Sequence, residues 1–457
     1  MDRSPSLPLR KRFKTITEGV EEIEKESIMK LNDDCLLIIF SHMTLWNLIV
    51  VEKVCMRFES LAKTFYRSQH ILDFQAKNLQ ISAERLFPPW ANPCQNPELK
   101  LQQVTDIAQR LGPYVHTLRA SFSVFADISN SVHILLTNCV KLQSLYLDAF
   151  SADVVPVLAK TFANLKVVRL RHYELMDYTM VKLLHGAKQL ETLNFADNKS
   201  FGFKGQFLTM LRNIQDLNLS ECDSINPNFL IQFFRRNKGL KSLNIIGCSM
   251  NGACLDAIAT KLRNLQCLKI SNNYKKTKPT DFHMLENVSH LKHLKISTYH
   301  YVNINYYLMK MIERNKLESL EVEYIMIRRN QGQNSISIPF RYCSTLKVLK
   351  LSAWIDLEDK VLEQISLVQT LEELRLDYCS WSTNEGIMKV IRNCRSLRLL
   401  DINKCRSRVF NDLITAILSI LPSRITPLKI LMGKGQIDES MWEIKNPKLI
   451  LICIERG

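Results

Sequence analysis

The stretch Leu371-Glu-Glu-Leu374-Arg-Leu376 decides the fold, because its spacing of apolar residues recurs through most of the chain. The pattern is apolar, two residues, apolar, one residue, apolar. Successive side chains of a β-strand alternate between its two faces, so Leu374 and Leu376 point to one side of a sheet and Arg375 to the other. Each copy of this hexad therefore predicts a short strand with one buried face.

The hexad occurs thirteen times at a mean spacing of about 26 residues, a phase that chance does not keep over such a length. The copies open at Val115, Leu142, Leu165, Leu190, Ile214, Leu240, Leu265, Leu291, Leu317, Leu346, Leu371, Leu397 and Ile425. Apolar residues at helical spacing, such as Leu255, Ile258 and Leu262, lie between copies. Only stacked strand–helix copies can bury both apolar faces. The predicted fold class is α/β, a curved solenoid with a parallel sheet on its concave side and helices on its convex side.

These repeats resemble the leucine-rich-repeat family, and most closely its cysteine-containing subtype. In that subtype one Cys often follows the hexad by three residues and another often precedes it by three. Here Cys222, Cys248, Cys379 and Cys405 follow copies of the hexad, and Cys139, Cys343 and Cys394 precede copies. We expect structural thiols packed at turns, because none of the cysteines has the ligand spacing of a zinc site.

Residues 31–74 do not follow the hexad and predict three short helices. The apolar residues at helical spacing are Leu36, Ile39, Phe40 and Met43 in the first, Leu48 and Val51 in the second, and Val54, Phe58 and Leu61 in the third. Such a module holds more apolar side chains than its small core can cover. The excess predicts a protein interface.

This module resembles an F-box. Residues 31–43 align without gaps to the opening helix of that family, and Val54-Cys55-Met-Arg57-Phe58 matches its Val-Cys-x-Arg-Trp segment. Two positions depart from the pattern: Asn32 replaces the usual Pro, and Phe58 replaces the usual Trp. The order of the two parts resembles an F-box/leucine-rich-repeat protein.

The resemblance implies the substrate-recognition subunit of a Skp–cullin–F-box E3 ubiquitin ligase. Its F-box would bind a Skp-type adaptor, and through it a cullin and a RING protein, while the repeats capture a protein target for ubiquitination. The chain itself would be non-catalytic, with no cofactor and no metal. The residues that match adaptor-binding or core positions of the F-box family are Leu31, Leu36, Leu37, Ile39, Phe40, Leu48, Val54, Cys55, Phe58 and Leu61. One alternative is that the module is only a helical cap for the solenoid.

The domain organisation follows from these patterns. We predict a disordered charged tail over residues 1–29, the F-box over 30–74, a linker with a leading helix over 75–112, and a solenoid of about 13 repeats over 113–457. The leading helix is indicated by Val104, Ile107 and Leu111, and residues 449–453 predict a last strand.

The target is expected to meet the concave face of the sheet. Candidate residues on or beside this face are Lys269, His293, Lys295, Tyr299, Tyr324, Lys350, Trp354, Arg375 and Tyr378. Arginine and aromatic side chains are frequent binding hot spots. Together they indicate a basic-leaning groove for an acidic or phosphorylated segment, with an ordinary solvated face as the alternative.

Composition limits the remaining possibilities. The 457 residues include 61 Lys or Arg against 45 Asp or Glu, a formal charge of +16, and no apolar run approaches a membrane span. We therefore expect an intracellular protein of the cytoplasm, the nucleus or both, with no membrane partner. A non-degradative scaffold or inhibitor that binds a protein partner is the alternative function. A basic RNA-binding solenoid ranks below it, since no nucleic-acid module is visible.

Overall fold

The structure, a computed structural model, describes most of the chain as two compact units, Met1–Leu142 and Gln143–Gly457. The described residues are 28–43, 45–74, 99–121, 125, 127–148, 155–171, 177–198, 204–272, 279–298, 305–324, 340–352, 357–379, 383–403, 405, 410–433 and 436–454. Residues 1–27 of the predicted tail and residues 75–98 of the predicted linker lie outside these ranges, whereas residues 28 and 29 of the predicted tail belong to a described 3-10 helix. We call the two units the N-terminal unit and the repeat unit.

The N-terminal unit contains the predicted short helices and the start of the repeats. Its helices are α1 (Asp33–Ser41), α2 (Leu45–Val51), α3 (Met56–Ser68), α4 (Leu101–Leu111) and α5 (Ile128–Asn138), with 3-10 helices at Ile28–Lys30 and Gly112–Tyr114. Its strands are β1 (Ile71–Phe74) and β2 (Thr117–Ser121), which pair in parallel with Leu72 opposite Leu118. The hexad of Val115 is β2, whereas β1 has no hexad and was not predicted. Val54 lies in the turn before α3, not in the helix.

The repeat unit alternates strands with helices along the chain. Its strands are β3 (Ser144–Asp148), β4 (Val167–Arg171), β5 (Thr192–Asn194), β6 (Asp216–Asn218), β7 (Ser242–Ile245), β8 (Cys267–Asn272), β9 (His293–Thr298), β10 (Ser319–Tyr324), β11 (Val348–Ser352), β12 (Glu373–Asp377), β13 (Leu399–Asp401), β14 (Leu428–Gly433) and β15 (Leu449–Ile454). Its α-helices are α6 (Val155–Thr161), α7 (Asp177–Leu184), α8 (Pro227–Arg236), α9 (Gly252–Lys261), α10 (Asn305–Arg314), α11 (Asp359–Ile365), α12 (Asn384–Asn393), α13 (Asn411–Ile420) and α14 (Glu439–Trp442). Short 3-10 helices lie at Phe162–Asn164, Gln206–Thr209, Pro279–Asn287, Phe340–Tyr342 and Leu421–Ser423.

The hexads of this unit pair strand to strand in one register. Each strand is parallel to the next in chain order, and Leu349, Leu374 and Leu400 face one another across β11, β12 and β13. All three are fully buried, as the period-two alternation predicts. The α/β fold class and the parallel sheet are therefore confirmed.

Close approach between neighbouring helices explains the glycine of the segment Asn384-Glu385-Gly386. A Cβ atom built at Gly386 would lie 2.6 Å from Cδ1 of Leu362 on α11. Any larger residue would push α12 away from the preceding repeat. Hydrogen bonds join the same two repeats, since the Asp359 carboxylate accepts from the hydroxyl of Thr383 at 2.7 Å.

The last hexad is built differently from the others. Its fourth and sixth residues, Leu428 and Ile430, are buried as predicted, but its first residue, Ile425, is 90% exposed. Arg424 takes the interior position instead, with 4% exposure. The Arg424 guanidinium donates to the carbonyl oxygens of Ile391 and Leu397 at 2.6 and 2.5 Å. These bonds satisfy one carbonyl group in the last turn of α12 and one at the start of the next hexad, which a leucine could not do.

Arg424 is therefore expected to stabilise the repeat unit more than Ile425 does. We predict that Arg424→Met lowers the free energy of unfolding by about 3 kcal/mol, because buried carbonyls lose their donors. Ile425→Ser should change it by less than about 0.5 kcal/mol, since its side chain is exposed. Urea unfolding of the two variants checks this. A larger loss from Ile425→Ser would contradict it.

Candidate functional site

The F-box helices surround a small aromatic core. The rings of Phe40 and Phe58 meet edge to face, with centroids 5.4 Å apart. Leu36, Leu48 and Leu61 are also buried. Phe58 thus fills the position at which the F-box pattern has Trp, and its ring has an aromatic partner.

Side-chain caps begin two of these helices. Asn32 precedes α1, and its side-chain oxygen accepts the backbone N–H of Cys35 at 2.8 Å. The departure from Pro at this position therefore keeps a helix-start residue, because asparagine is among the preferred N-caps. Cys55 caps α3 in the same way, with its sulfur accepting the N–H of Phe58 at 3.5 Å.

Arg57 fixes the chain that leads into α1. Its guanidinium donates to the carbonyl oxygens of Met29 and Leu31 at 2.8 and 2.6 Å, and to the Asp33 carboxylate at 2.8 Å. The arginine of the matched Val-Cys-x-Arg segment thereby holds residues 29–31 beside the start of α3.

The structure divides the predicted F-box residues by burial. Leu36, Phe40, Leu48, Phe58 and Leu61 lie in the core, and Leu37, Ile39 and Cys55 are half-buried. Leu31 and Val54 are exposed, at 37% and 64%. Of the predicted residues, only these two are exposed and therefore available to a partner.

Further apolar side chains are exposed on the same module. Among the described residues fifteen large apolar side chains are exposed, and seven of them fall within residues 28–56. These seven, which we call the exposed apolar set, are Ile28, Met29, Leu31, Ile38, Val50, Val54 and Met56. Sequence reasoning missed Ile28, Met29, Ile38, Val50 and Met56. The signal was present for Ile38, Val50 and Met56, since they lie off the apolar stripe of their helices.

A partly buried ion pair joins the F-box to α4 within the N-terminal unit. Glu52, in the turn after α2, is 2.6 Å from Nη2 of Arg110 and accepts the Tyr66 hydroxyl at 2.8 Å. Its side chain is only 12% exposed. Burial, with the Glu52 carboxylate as a second cause, raises the pKa of Tyr66, so its hydroxyl stays protonated and donates. The network fixes α3 against α4.

The second candidate surface is the strand face, by which we mean the side chains that alternate with the buried leucines of β8–β12. Lys269 and His293 are exposed on it, and Lys295, Lys350 and Arg375 are half-buried. Tyr378 follows β12 in the left-handed backbone region, with φ of 55°, and is exposed. Tyr324 is the last residue of β10, while Tyr299 and Trp354 lie outside the described residues.

Ion pairs between strands balance part of the basic charge of the strand face. Nζ of Lys295 lies 2.5 Å from the Glu321 carboxylate on the next strand. Arg375 pairs with Glu373 on its own strand and lies 3.6 Å from the Asp401 carboxylate on β13. Sequence spacing could not show the Lys295–Glu321 and Arg375–Asp401 pairs, because those partners are about one repeat apart.

The cysteines that follow the hexads form a repeated contact. The thiols of Cys222, Cys248 and Cys379 donate to the carbonyl oxygens of Phe195, Leu219 and Leu351, one repeat earlier, at 3.1, 2.9 and 3.2 Å. Cys405 donates likewise to Leu376. All four are buried and bind the end of the preceding strand. The structural role predicted for them agrees with this geometry.

Burial of these thiols predicts destabilisation at alkaline pH. Burial raises the pKa of Cys222 to about 12, whereas an unfolded thiol ionises near pH 8.5. The stability that the buried, neutral thiol contributes is present in full below that pH. It is lost as the pH rises toward the pKa of the thiol in the folded chain. Between about pH 9 and 11, Cys222→Ala should make the fall in unfolding free energy shallower by about 1.4 kcal/mol per pH unit.

Urea unfolding at several pH values measures this slope. Cys35→Ala is the control, since it removes a thiol that is exposed in the folded chain. Equal changes in the two variants would contradict the assignment to burial.

No set of three or more His, Cys, Asp or Glu side chains suited to a metal ion occurs within the described ranges. In the same part of the chain, no helix has the length and apolar character required to cross a membrane.

Comparison with known proteins agrees with the N-terminal geometry. The F-box domain family matches residues 28–70, the span from the first 3-10 helix through α3. No curated protein sequence matches the chain.

Solved structures similar to the chain are distant. They include a chain of the Rad7 and Elc1 complex in yeast, with 14% identity, 98% of both chains covered and a TM-score of 0.44. An internalin, inlF, from Listeria monocytogenes str. 4b F2365 is 14% identical over 77% of this chain and 84% of its own, with a TM-score of 0.40. A chain of the TLR13–ssRNA13 complex is 13% identical over 86% of this chain and 63% of its own, with a TM-score of 0.38.

The repeat assignment does not depend on these likenesses. It rests on the hexads and on the parallel register of their strands. Residues 28–70 are thus an F-box domain, and the chain combines this domain with a leucine-rich-repeat solenoid.

Proposed function

We propose that this chain is the substrate-recognition subunit of a Skp–cullin–F-box E3 ubiquitin ligase. Its F-box binds a Skp-type adaptor, which connects it to a cullin and a RING protein, and its repeats hold a protein target. The chain contributes recognition and no catalytic group. We place it in the cytoplasm, the nucleus or both.

The exposed apolar set carries this proposal. Ile38, Val50 and Val54 are 61, 65 and 64% exposed, although the core of the module is complete without them. Clusters of exposed apolar side chains mark protein interfaces. The hydrogen bonds of Arg57 hold the segment that carries Met29 and Leu31, two further members of the exposed apolar set, against α3.

Target capture is proposed for the strand face. Lys269, His293 and Tyr378 are exposed there, and aromatic and charged side chains together suit a polar protein segment. Because Lys295 and Arg375 already have acidic partners, we assign the strand face a mixed rather than a purely acidic ligand.

The proposal is tested by capture of a purified Skp-type adaptor on the full chain. We expect the immobilised chain to retain the adaptor, and to retain a cullin only when the adaptor is present. A well-folded chain that binds no adaptor would overturn the ligase role. The non-degradative scaffold or inhibitor would then be the better function.

A further inference from the structure

A groove lined by basic side chains runs along the edge of the repeat sheet at which the strands begin. It has a volume of about 1080 Å³ and is bounded by the turns that lead from the helices into β7–β12. Six cationic residues line it and are exposed: Lys241, Arg263, Lys292, Arg314, Lys316 and Lys347. Glu318 is the one acidic lining residue among the described residues. We call this feature the basic groove.

Buried asparagines hold the turns of the basic groove in place. The Asn315 side chain accepts the N–H of Leu291 at 2.7 Å and donates to the carbonyl oxygens of Val288 and Met311 at 3.0 and 2.8 Å. Asn237 makes the equivalent bond to the N–H of Ile214 at 3.1 Å. The turns are tied to their neighbours before any ligand binds, which lowers the ordering cost of binding.

The charge of the basic groove is only partly balanced. Lys292 lies 3.3 Å from the Glu318 carboxylate, and Arg314 donates to the carbonyl oxygen of Glu286. Within the part of the chain that the structure describes, Arg263, Lys316 and Lys347 form no ion pair. Lys292, by its hydrogen bond and its charge, lowers the pKa of Glu318, and Lys347 adds to the effect. The local potential is therefore positive and attracts anions.

Stabilisation of helix ends does not account for this arrangement. Arg314 is the last residue of α10, where the helix dipole favours a positive charge. Lys241, Lys292 and Lys347 instead stand directly before β7, β9 and β11. The residues that follow these lysines, Ser242, His293 and Val348, are aligned in one register across the sheet. The three lysines therefore lie at the same level on every second strand.

The spacing of these lysines matches an extended polypeptide. Neighbouring strands lie about 4.8 Å apart, so lysines on alternate strands are separated by roughly 10 Å. Three residues of extended chain cover about the same distance, at roughly 3.3 Å each. An acidic group at every third residue would therefore meet Lys241, Lys292 and Lys347 in turn.

Polypeptide suits the basic groove better than nucleic acid does. Single-stranded nucleic acids bind by stacking successive bases on several aromatic side chains, and His290 is the one aromatic ring among the described lining residues. Glu318 lies among the cations and would repel a continuous phosphate backbone. A peptide can place an uncharged or basic residue opposite it.

We propose that the basic groove binds an extended acidic segment of a partner protein, with a carboxylate or phosphoryl group at every third residue. None of its lining residues belongs to the F-box or to the strand face. The proposal goes beyond the ligase role and does not depend on it.

The test uses the full chain and fluorescent synthetic peptides in anisotropy titrations. One peptide carries Asp at every third position, a second carries phosphoserine there, a third has the same Asp residues clustered at one end, and a fourth has Asn instead. We expect the spaced Asp or phosphoserine peptide to bind at least tenfold more tightly than the clustered and Asn peptides. Tighter binding of Asp or of phosphoserine identifies the anionic group.

Variants locate the binding. Lys241→Gln/Lys292→Gln/Lys347→Gln should weaken the spaced peptide at least tenfold. The control Lys188→Gln/Lys204→Gln/Lys360→Gln removes the same charge at exposed positions outside the groove and should weaken it less than twofold. Circular dichroism and adaptor capture by both variants verify folding and separate this result from the ligase role.

Several results would overturn the proposal. They are equal binding of spaced and clustered peptides, equal weakening by the two triple variants, and tighter binding of an oligo(U) strand of the same charge. The last result would make the basic groove a nucleic-acid site.

Discussion

Glutamate at Ile38, Val50 and Val54 is expected to abolish adaptor capture while leaving the F-box folded. The three side chains are 61, 65 and 64% exposed, so the free chain accommodates charge there at little cost. In a complex the same carboxylates would be buried without partners, which costs several kcal/mol. We predict at least a 100-fold loss of adaptor affinity, measured by titration of the purified adaptor.

The matched control places the same change elsewhere. Leu367→Glu/Ile425→Glu/Ile450→Glu replaces three exposed apolar residues of the repeat unit and should leave adaptor affinity within twofold. Retention of the adaptor by a folded Ile38→Glu/Val50→Glu/Val54→Glu variant would exclude the exposed apolar set as the docking surface.

Substitution of the core gives the opposite pattern. Leu36 and Phe40 are fully buried, so Leu36→Asp/Phe40→Asp should unfold the F-box rather than remove a contact. Loss of adaptor capture in that variant would not distinguish docking from folding. Circular dichroism together with hydrogen exchange of the α1 and α3 amides separates the two effects.

Arg110→Met is expected to destabilise the packing of the F-box against α4 by about 3 kcal/mol. The Glu52 carboxylate is only 12% exposed, and in this variant it would lose the cation that balances its charge. The Tyr66 hydroxyl would remain as its hydrogen-bond donor. The variant Glu52→Gln/Arg110→Met removes both charges and should lie within about 1 kcal/mol of the natural chain. Hydrogen exchange of α3 amides measures both.

Asp106→Asn is the control for that comparison. Asp106 also contacts Arg110, at 3.4 Å and one helical turn away, but it is more exposed than Glu52. Its removal should cost less than about 0.5 kcal/mol. If Arg110→Met and the double variant are equally destabilised, the ion pair does not couple the F-box to α4.

Much of the architecture was predictable from the sequence because it depends on local periodicity. The hexads predict strands from alternation within six residues, and helical spacing predicts α1, α3 and α9 in the same way. The F-box span was found from one short segment, Val54–Phe58, and one helix. Stacking follows, since isolated copies cannot bury their apolar faces.

The functional surfaces were less predictable because they depend on contacts about one repeat apart or more. Aliphatic side chains of equal size lie in the core at Leu36 and on the surface at Ile38, and only the packing of the helices distinguishes the two positions. The Lys295–Glu321 pair likewise changes the charge of the strand face through a residue on the next strand.

The sequence by itself determined the repeating strand–helix fold and the F-box, because local spacing and a matched motif suffice for both. Only the tertiary structure decided that Arg424 replaces an apolar residue, that β1 pairs with β2, and that six cations meet in the basic groove. Each of these depends on groups far apart in the chain, whose approach is set by the register of stacked repeats and not by any local pattern.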